Sequence, residues 1–158
     1  MPRNFKSTQQ YQVGDPKFGS MLATKLINKL MLDGKKTTAQ RIFYKALDVA
    51  EKKVQDIESQ EDIFNRAVDN VRPLVEVRSK RVGGANYQVP REVRRNRQQS
   101  LAIRWLVENV RKKKGKPMAV RLADELVDAY NGTGASVSQK ETVHKMAEAN
   151  KAYSHFAR

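Results

Sequence analysis

The sequence predicts a mainly α-helical protein: a six-helix bundle with one protruding β-hairpin. Three observations carry that prediction. Apolar residues recur at helical spacing through most of the chain. The period falls to two only in the stretch Val71 to Arg97. Within that stretch sits Gly83-Gly84, a pair that tolerates the positive φ of a tight hairpin turn.

In chain order, residues 1–14 are polar and read as a flexible tail, which leaves 15–158 as a single helical domain with a hairpin arm over 72–90. Asp15-Pro16 reads as an N-cap followed by proline at the first helical position, opening a helix that carries Leu22, Leu26, Ile27, Leu30 and Met31 and stops at Gly34. Thr37 or Thr38 is placed to cap a second helix with the stripe Ile42, Phe43, Ala46, Leu47, Ala50 and Val54. Ser59 with Asp62 resembles a capping box for a third, carrying Ile63, Phe64, Ala67, Val68 and Val71. In the ribbon, Leu74, Glu76, Arg78, Lys80 and Val82 share one face, while Val75, Val77, Ser79 and Arg81 share the other. Tyr87 and Val89 alternate on the return strand, which Pro90 is expected to end. A fourth helix starts between Pro90 and Gln99, carries Leu101, Ile103, Trp105, Leu106 and Val110, and ends in the basic run Arg111 to Lys114 before Gly115. Pro117 opens a fifth, with Met118, Leu122, Ala123, Leu126, Val127 and Tyr130, broken by Asn131-Gly132-Thr133-Gly134. Ser138 with Glu141 reads as the cap of a sixth, after which Tyr153 and Phe156 either dock or stay free.

Charge narrows the function. The 158 residues carry a net +14, which attracts polyanions. Its distribution is uneven: residues 72–121 hold fifteen Lys/Arg against three Glu, while 37–71 and 122–158 are slightly acidic. Segregation of this kind marks a binding face rather than a solubility surface. No apolar run approaches a membrane-spanning length, and no signal-peptide pattern follows Arg3 and Lys6. The chain has no cysteine, which excludes disulfides and thiolate metal sites and fits a reducing cytosol.

The candidate binding residues follow from this map. Arg72, Arg78, Arg94, Arg95 and Arg97 flank or line the ribbon, and arginine pairs bidentately with phosphate and stacks on bases. Arg111, Lys112, Lys113, Lys114 and Lys116 form a second knob, while Arg3, Lys35 and Lys36 are outlying cations. Asp33 to Thr38 superficially resembles a phosphate-binding loop but lacks the upstream glycine and strand. Glu141, His144 and Glu148 share one helix face. A di-iron site needs a second Glu-x-x-His pair, and His155 is the only other histidine. No cofactor and no catalytic constellation are expected. A DNA- or other RNA-binding regulator remains the alternative reading of the same charge.

Several stretches resemble the bacterial-type small-subunit ribosomal protein S-seven family over essentially the whole chain after residue 14. These are Asp15-Pro16-Lys17-Phe18, Asp33-Gly34-Lys35-Lys36, Asn70-Val71-Arg72-Pro73, Arg81-Val82-Gly83-Gly84, Tyr87-Gln88-Val89-Pro90, Ala102-Ile103-Arg104-Trp105 and the run His144 to Ala152. The resemblance implies a helical bundle with a protruding hairpin, and a structural rather than enzymatic role in the cytoplasmic small ribosomal subunit. It implies direct binding to the 3′ major domain of 16S rRNA and nucleation of the subunit head. It also implies proximity to mRNA and exit-site tRNA, with ribosomal protein S-eleven among the neighbours and no membrane or small-molecule substrate. The hairpin tip, with Lys80, Arg81, Gly83, Gly84, Asn86 and Tyr87, would face the mRNA and tRNA. Arg91 departs from the family pattern, which places an aliphatic residue there, and the tail before residue 15 is less basic than family tails.

Overall fold

The computed structural model describes residues 11–54 and 59–157. In chain order these form α1 (Met21–Leu30), α2 (Lys36–Glu51), α3 (Gln60–Val71), β1 (Val75–Val82), β2 (Ala85–Glu92), α4 (Arg95–Lys112), α5 (Met118–Tyr130), α6 (Ala135–Ala149) and a C-terminal 3-10 helix, Lys151–Ala157. The expected helical bundle with one antiparallel hairpin is the fold observed. Helix α5 lies at its centre, packed on α2, α3, α4 and α6, while α1 rests on α2 and α4.

The core is built mostly from the predicted stripes, with Ala23, Ala102, Val107 and Val137 added and Met146 of the sixth stripe exposed instead. Leu26, Ile27, Phe43, Leu47, Ile63, Phe64, Val68, Leu106, Leu122 and Leu126 are all buried within one cluster. Each such side chain stabilises the fold by about 1.5–3 kcal/mol through lost apolar exposure. Phe43 of α2 meets Phe64 of α3 edge to face at 5.3 Å, which locks the α2–α3 pair in register. All five apolar positions expected for α3 are buried, and Ser59 caps it as expected, its Oγ accepting from the Asp62 N–H.

Three other caps differ from expectation. Asp15 does not open a helix. It is buried, accepts the Lys17 and Phe18 N–H groups through Oδ2, and accepts the Tyr44 hydroxyl through Oδ1 at 2.6 Å. A turn over residues 16–18 follows, Gly19 takes φ +65, and α1 begins only at Met21. Burial and the Asp15 carboxylate push the Tyr44 hydroxyl up to about 12, so this pair is a structural clamp. Helix α2 starts at Lys36, ahead of both threonines, and has no side-chain cap. Helix α6 starts at Ala135 after Gly134 at φ +92, three residues ahead of Ser138. Its cap is remote: Glu125 of α5 accepts both the N–H and the hydroxyl of Ser136.

The hairpin closes through Gly83 (φ +56) and Gly84 (φ +88), the signature of a two-residue type I′ turn. Its register runs from Val82↔Ala85 to Val75↔Glu92. The return strand does not stop at Pro90. Counting back from the turn, Pro90 opposite Val77 occupies a non-hydrogen-bonded position. Its missing N–H therefore interrupts no bond to β1, and pairing continues to Glu92. The Val93 N–H then donates to the Leu74 carbonyl at 2.9 Å and closes the arm's base.

Candidate nucleic-acid interface

The basic residues of 72–121 fall into two populations. One is held by the protein itself. Arg72 pairs with Asp69 one helical turn back, at 2.8 Å. Glu76, on the first strand, receives Arg78 Nε at 2.9 Å and Arg97 Nη2 at 3.2 Å, tying the arm's base to the first turn of α4. Arg111 donates to the carbonyls of Lys29 and Leu30, satisfying the C-terminal end of α1. Arg121 does the same for α4 through the carbonyls of Val110 and Lys113. Lys113 lies 2.6 Å from the buried Glu125 carboxylate, and Lys116 lies 3.1 Å from Asp124. Lys53 also pairs with Asp124, and this contact with that of Lys116 outweighs burial and holds the Asp124 carboxyl below its ordinary value.

The second population faces solvent. Arg81, Arg91, Arg94, Arg95, Arg104, Lys112 and Lys114 are exposed and make no ion pair among the described residues. Lys35 and Lys36 are also exposed, beside the uncapped N-terminus of α2, whose N–H groups and dipole favour an anion. Arg3 lies outside the described residues.

Two open clefts connect these groups. At the arm's base, Arg78, Arg91, Arg94 and Arg97 line a cleft of about 560 Å³ with Glu76 and Glu92. Further along α4, a second cleft of the same volume lies between α1 and α4, lined by Lys25, Lys29, Asn96, Ser100 and Arg104. Arg97, Arg104 and Arg111 recur every seven residues, so they follow nearly one line along α4. From Arg97 to Arg111 that line is about 21 Å long at the helical rise. The result is a basic band from the hairpin base, across the α1–α4 groove, to the end of α1.

Lys25, Lys29 and Arg104 line the α1–α4 cleft, and the charge map alone did not single them out. The signal was present as the i, i+4 spacing of the two lysines, but only the packing of α1 on α4 brings Arg104 alongside them. The run Arg111 to Lys116 shows the opposite case. It reads as one knob, and the fold divides it between helix capping, ion pairing with α5, and solvent.

At the arm's tip, Arg81, Gly83, Gly84 and Asn86 are exposed. Tyr87 is half-buried because its ring packs against Tyr153 at 5.0 Å and Phe156 at 5.4 Å. The C-terminal aromatics thus dock on the arm itself.

The described residues contain no group of three His, Cys, Asp or Glu placed to hold a metal ion. His144 Nε2 accepts the Leu74 N–H at 3.1 Å, so this ring braces the hairpin base. No described helix is long and apolar enough to cross a membrane.

Comparison with known proteins agrees with this architecture. The family model for ribosomal protein S7p/S5e matches residues 2–151. The chain is 54% identical to small ribosomal subunit protein uS7 of Rhodopirellula baltica over 151 residues, 96% of each chain. It is 54% identical to the Eikenella corrodens protein of that name, covering 99% of each. For the Nitratiruptor sp. protein of that name, identity is 58% over 142 residues, 90% of each.

Proposed function

The chain belongs to the ribosomal protein S7p/S5e family, and from that premise we propose that its basic band docks directly on the 3′ major domain of 16S rRNA and nucleates assembly of the small-subunit head. It is a structural protein of the small ribosomal subunit rather than an enzyme. One observation supports the docking surface: the exposed cations of the hairpin base and the α1–α4 groove form one continuous band. The direct phosphate contacts fall to Lys25, Lys29, Lys35, Lys36, Arg94, Arg95, Arg104, Lys112 and Lys114. Arg72, Arg78, Arg97, Arg111, Lys113 and Lys116 keep protein partners and add positive potential. Family membership supports the tip's placement near mRNA and exit-site tRNA, and ribosomal protein S-eleven as a neighbour, in the cytoplasm.

The physics of such a site is largely electrostatic. Each neutralised phosphate releases counterions, so affinity falls steeply with salt. Specificity comes from the fit of a rigid band to a folded RNA junction, because side chains do not read the deep groove of an A-form duplex. The test is binding of the chain to a transcript of the 3′ major domain across a potassium chloride series. Replacing Lys25, Lys29 and Arg104 by glutamine together is expected to flatten the slope of log K against log salt by about two units, at roughly 0.7–0.9 per phosphate contact. An unchanged slope, or equal affinity for duplex DNA at matched salt, overturns the assignment.

A further inference from the structure

The arm consists of two eight-residue strands, and an isolated two-stranded ribbon is marginal in water. Its proximal half is braced. Val89 is buried, Val75 and Val77 are half-buried, and the Leu74 N–H is fixed to His144 of α6. Its distal half rests on the C-terminal 3-10 helix. There Tyr87, Tyr153 and Phe156 form one ring cluster, with Tyr153 and Phe156 nearly parallel at 12° and 6.4 Å between centroids. Lys80, directly opposite Tyr87 in the ladder, donates from Nζ to the Phe156 carbonyl at 2.8 Å. The contact therefore takes one aromatic ring and one cation from the arm, the two kinds of group that stack on bases and neutralise phosphates.

The segment that makes this contact is weak by itself. A seven-residue 3-10 helix exceeds the three or four residues at which such helices usually stop. None of the described side chains from Lys151 to Phe156 belongs to the main core cluster, and Tyr153 keeps 37% exposure. It is held in place chiefly by the rings it offers to Tyr87.

We propose that Lys151–Ala157 is a releasable latch, which clamps the distal half of the hairpin arm in the free protein, masks the Tyr87 ring from RNA and engages the Lys80 ammonium. Masking presupposes the RNA-binding reading above, whereas clamping does not. RNA that engages the tip gains Tyr87 as a stacking surface only by displacing the latch, so docking and release of the C-terminus are one event.

The test uses the full chain and a Tyr153→Ala, Phe156→Ala variant. Amide hydrogen exchange over Ser79 to Gln88 is expected to be about fivefold faster or more in the variant, with the amides of α2, α3 and α5 unchanged. A short oligouridine is expected to bind the variant about threefold tighter or more, because the competing intramolecular contact is gone. In the unaltered chain, NMR signals of the Tyr153 and Phe156 rings should move towards free-tail positions as oligouridine is added. Unchanged hairpin exchange overturns the clamp. Oligouridine affinity that is unchanged or weaker in the variant, or ring signals that stay fixed as RNA binds, overturns masking. Should neither chain bind oligouridine, the RNA reading of the tip fails and masking with it, while the exchange data still decide the clamp.

Discussion

At Glu125 a fully buried carboxylate joins three parts of the chain: Lys113 beyond the end of α4, α5 itself, and the first turn of α6 through Ser136. Burial alone would raise its pKa, but Lys113 and the two Ser136 hydrogen bonds outweigh that and hold it low. Removing the lysine leaves a buried charge half-compensated. Lys113→Met is expected to cost about 2 kcal/mol in chemical denaturation, less than for a fully enclosed pair because the lysine is a third exposed. Adding Glu125→Gln should recover part of that loss, and additive losses would contradict the pairing. His144 supplies a second case, with a pH sign. Burial, then the nearby Lys140, lowers its pKa below 6.5. The unfolded chain therefore binds the proton more tightly. The contribution of the Leu74–His144 bond is complete above pH 6.5 and is lost as pH falls through the lower folded value. An NMR titration should give a midpoint below 6.5, with protection of the Leu74 amide declining in step. A midpoint at or above 6.5 would contradict this. Neither partnership was legible in the sequence. Lys113 reads as one member of a uniform basic run until the packing of α4, α5 and α6 brings Glu125 against it.

Elements were more legible than their ends. Helical periodicity located the six α-helices among the described residues, because a buried stripe must repeat at the helical period whatever caps it. Their starts failed where the cap was not local. Ser59 works because its partner Asp62 is three residues away, whereas the cap of α6 comes from another helix and the first turn of α2 has none. The hairpin was legible for a related reason: a two-residue turn needs positive φ at both positions, and Gly83-Gly84 supplies it within the pair. A Cβ built at Gly84 meets no atom within 4 Å. Substitution there therefore tests backbone strain alone. Gly84→Val is expected to destabilise the turn by about 1–2 kcal/mol and shift the amide signals of both strands. Gly84→Asn, which tolerates left-handed backbone, should leave them nearly in place. Equal effects of the two would mean that the turn does not depend on positive φ.

Across the whole molecule, the charge map pointed to a polyanionic partner and to residues 72–121, but it did not define a surface. Segregation of fifteen cations into residues 72–121 is visible in one dimension. The sorting of those cations into structural pairs and an exposed band is set by the tertiary packing. Lys25 and Lys29 joined the band from a distant segment, because α1 lies along α4. Pro90 carries a consequence between molecules. A ribbon of only two strands has no neighbouring strand on either edge, and such an edge is a template for pairing with another chain. On the β2 edge, proline removes the outward donor midway along the strand, with Arg91 and Glu92 exposed beside it. A copy of the chain, or a nascent one, cannot complete a ladder there. The same residue that leaves the arm's own pairing intact thus denies a second copy a complete ladder on that edge. Pro90→Thr should restore the donor and lower the protein concentration at which light scattering reports self-association. A variant as monodisperse as the parent would show that charge alone protects that edge.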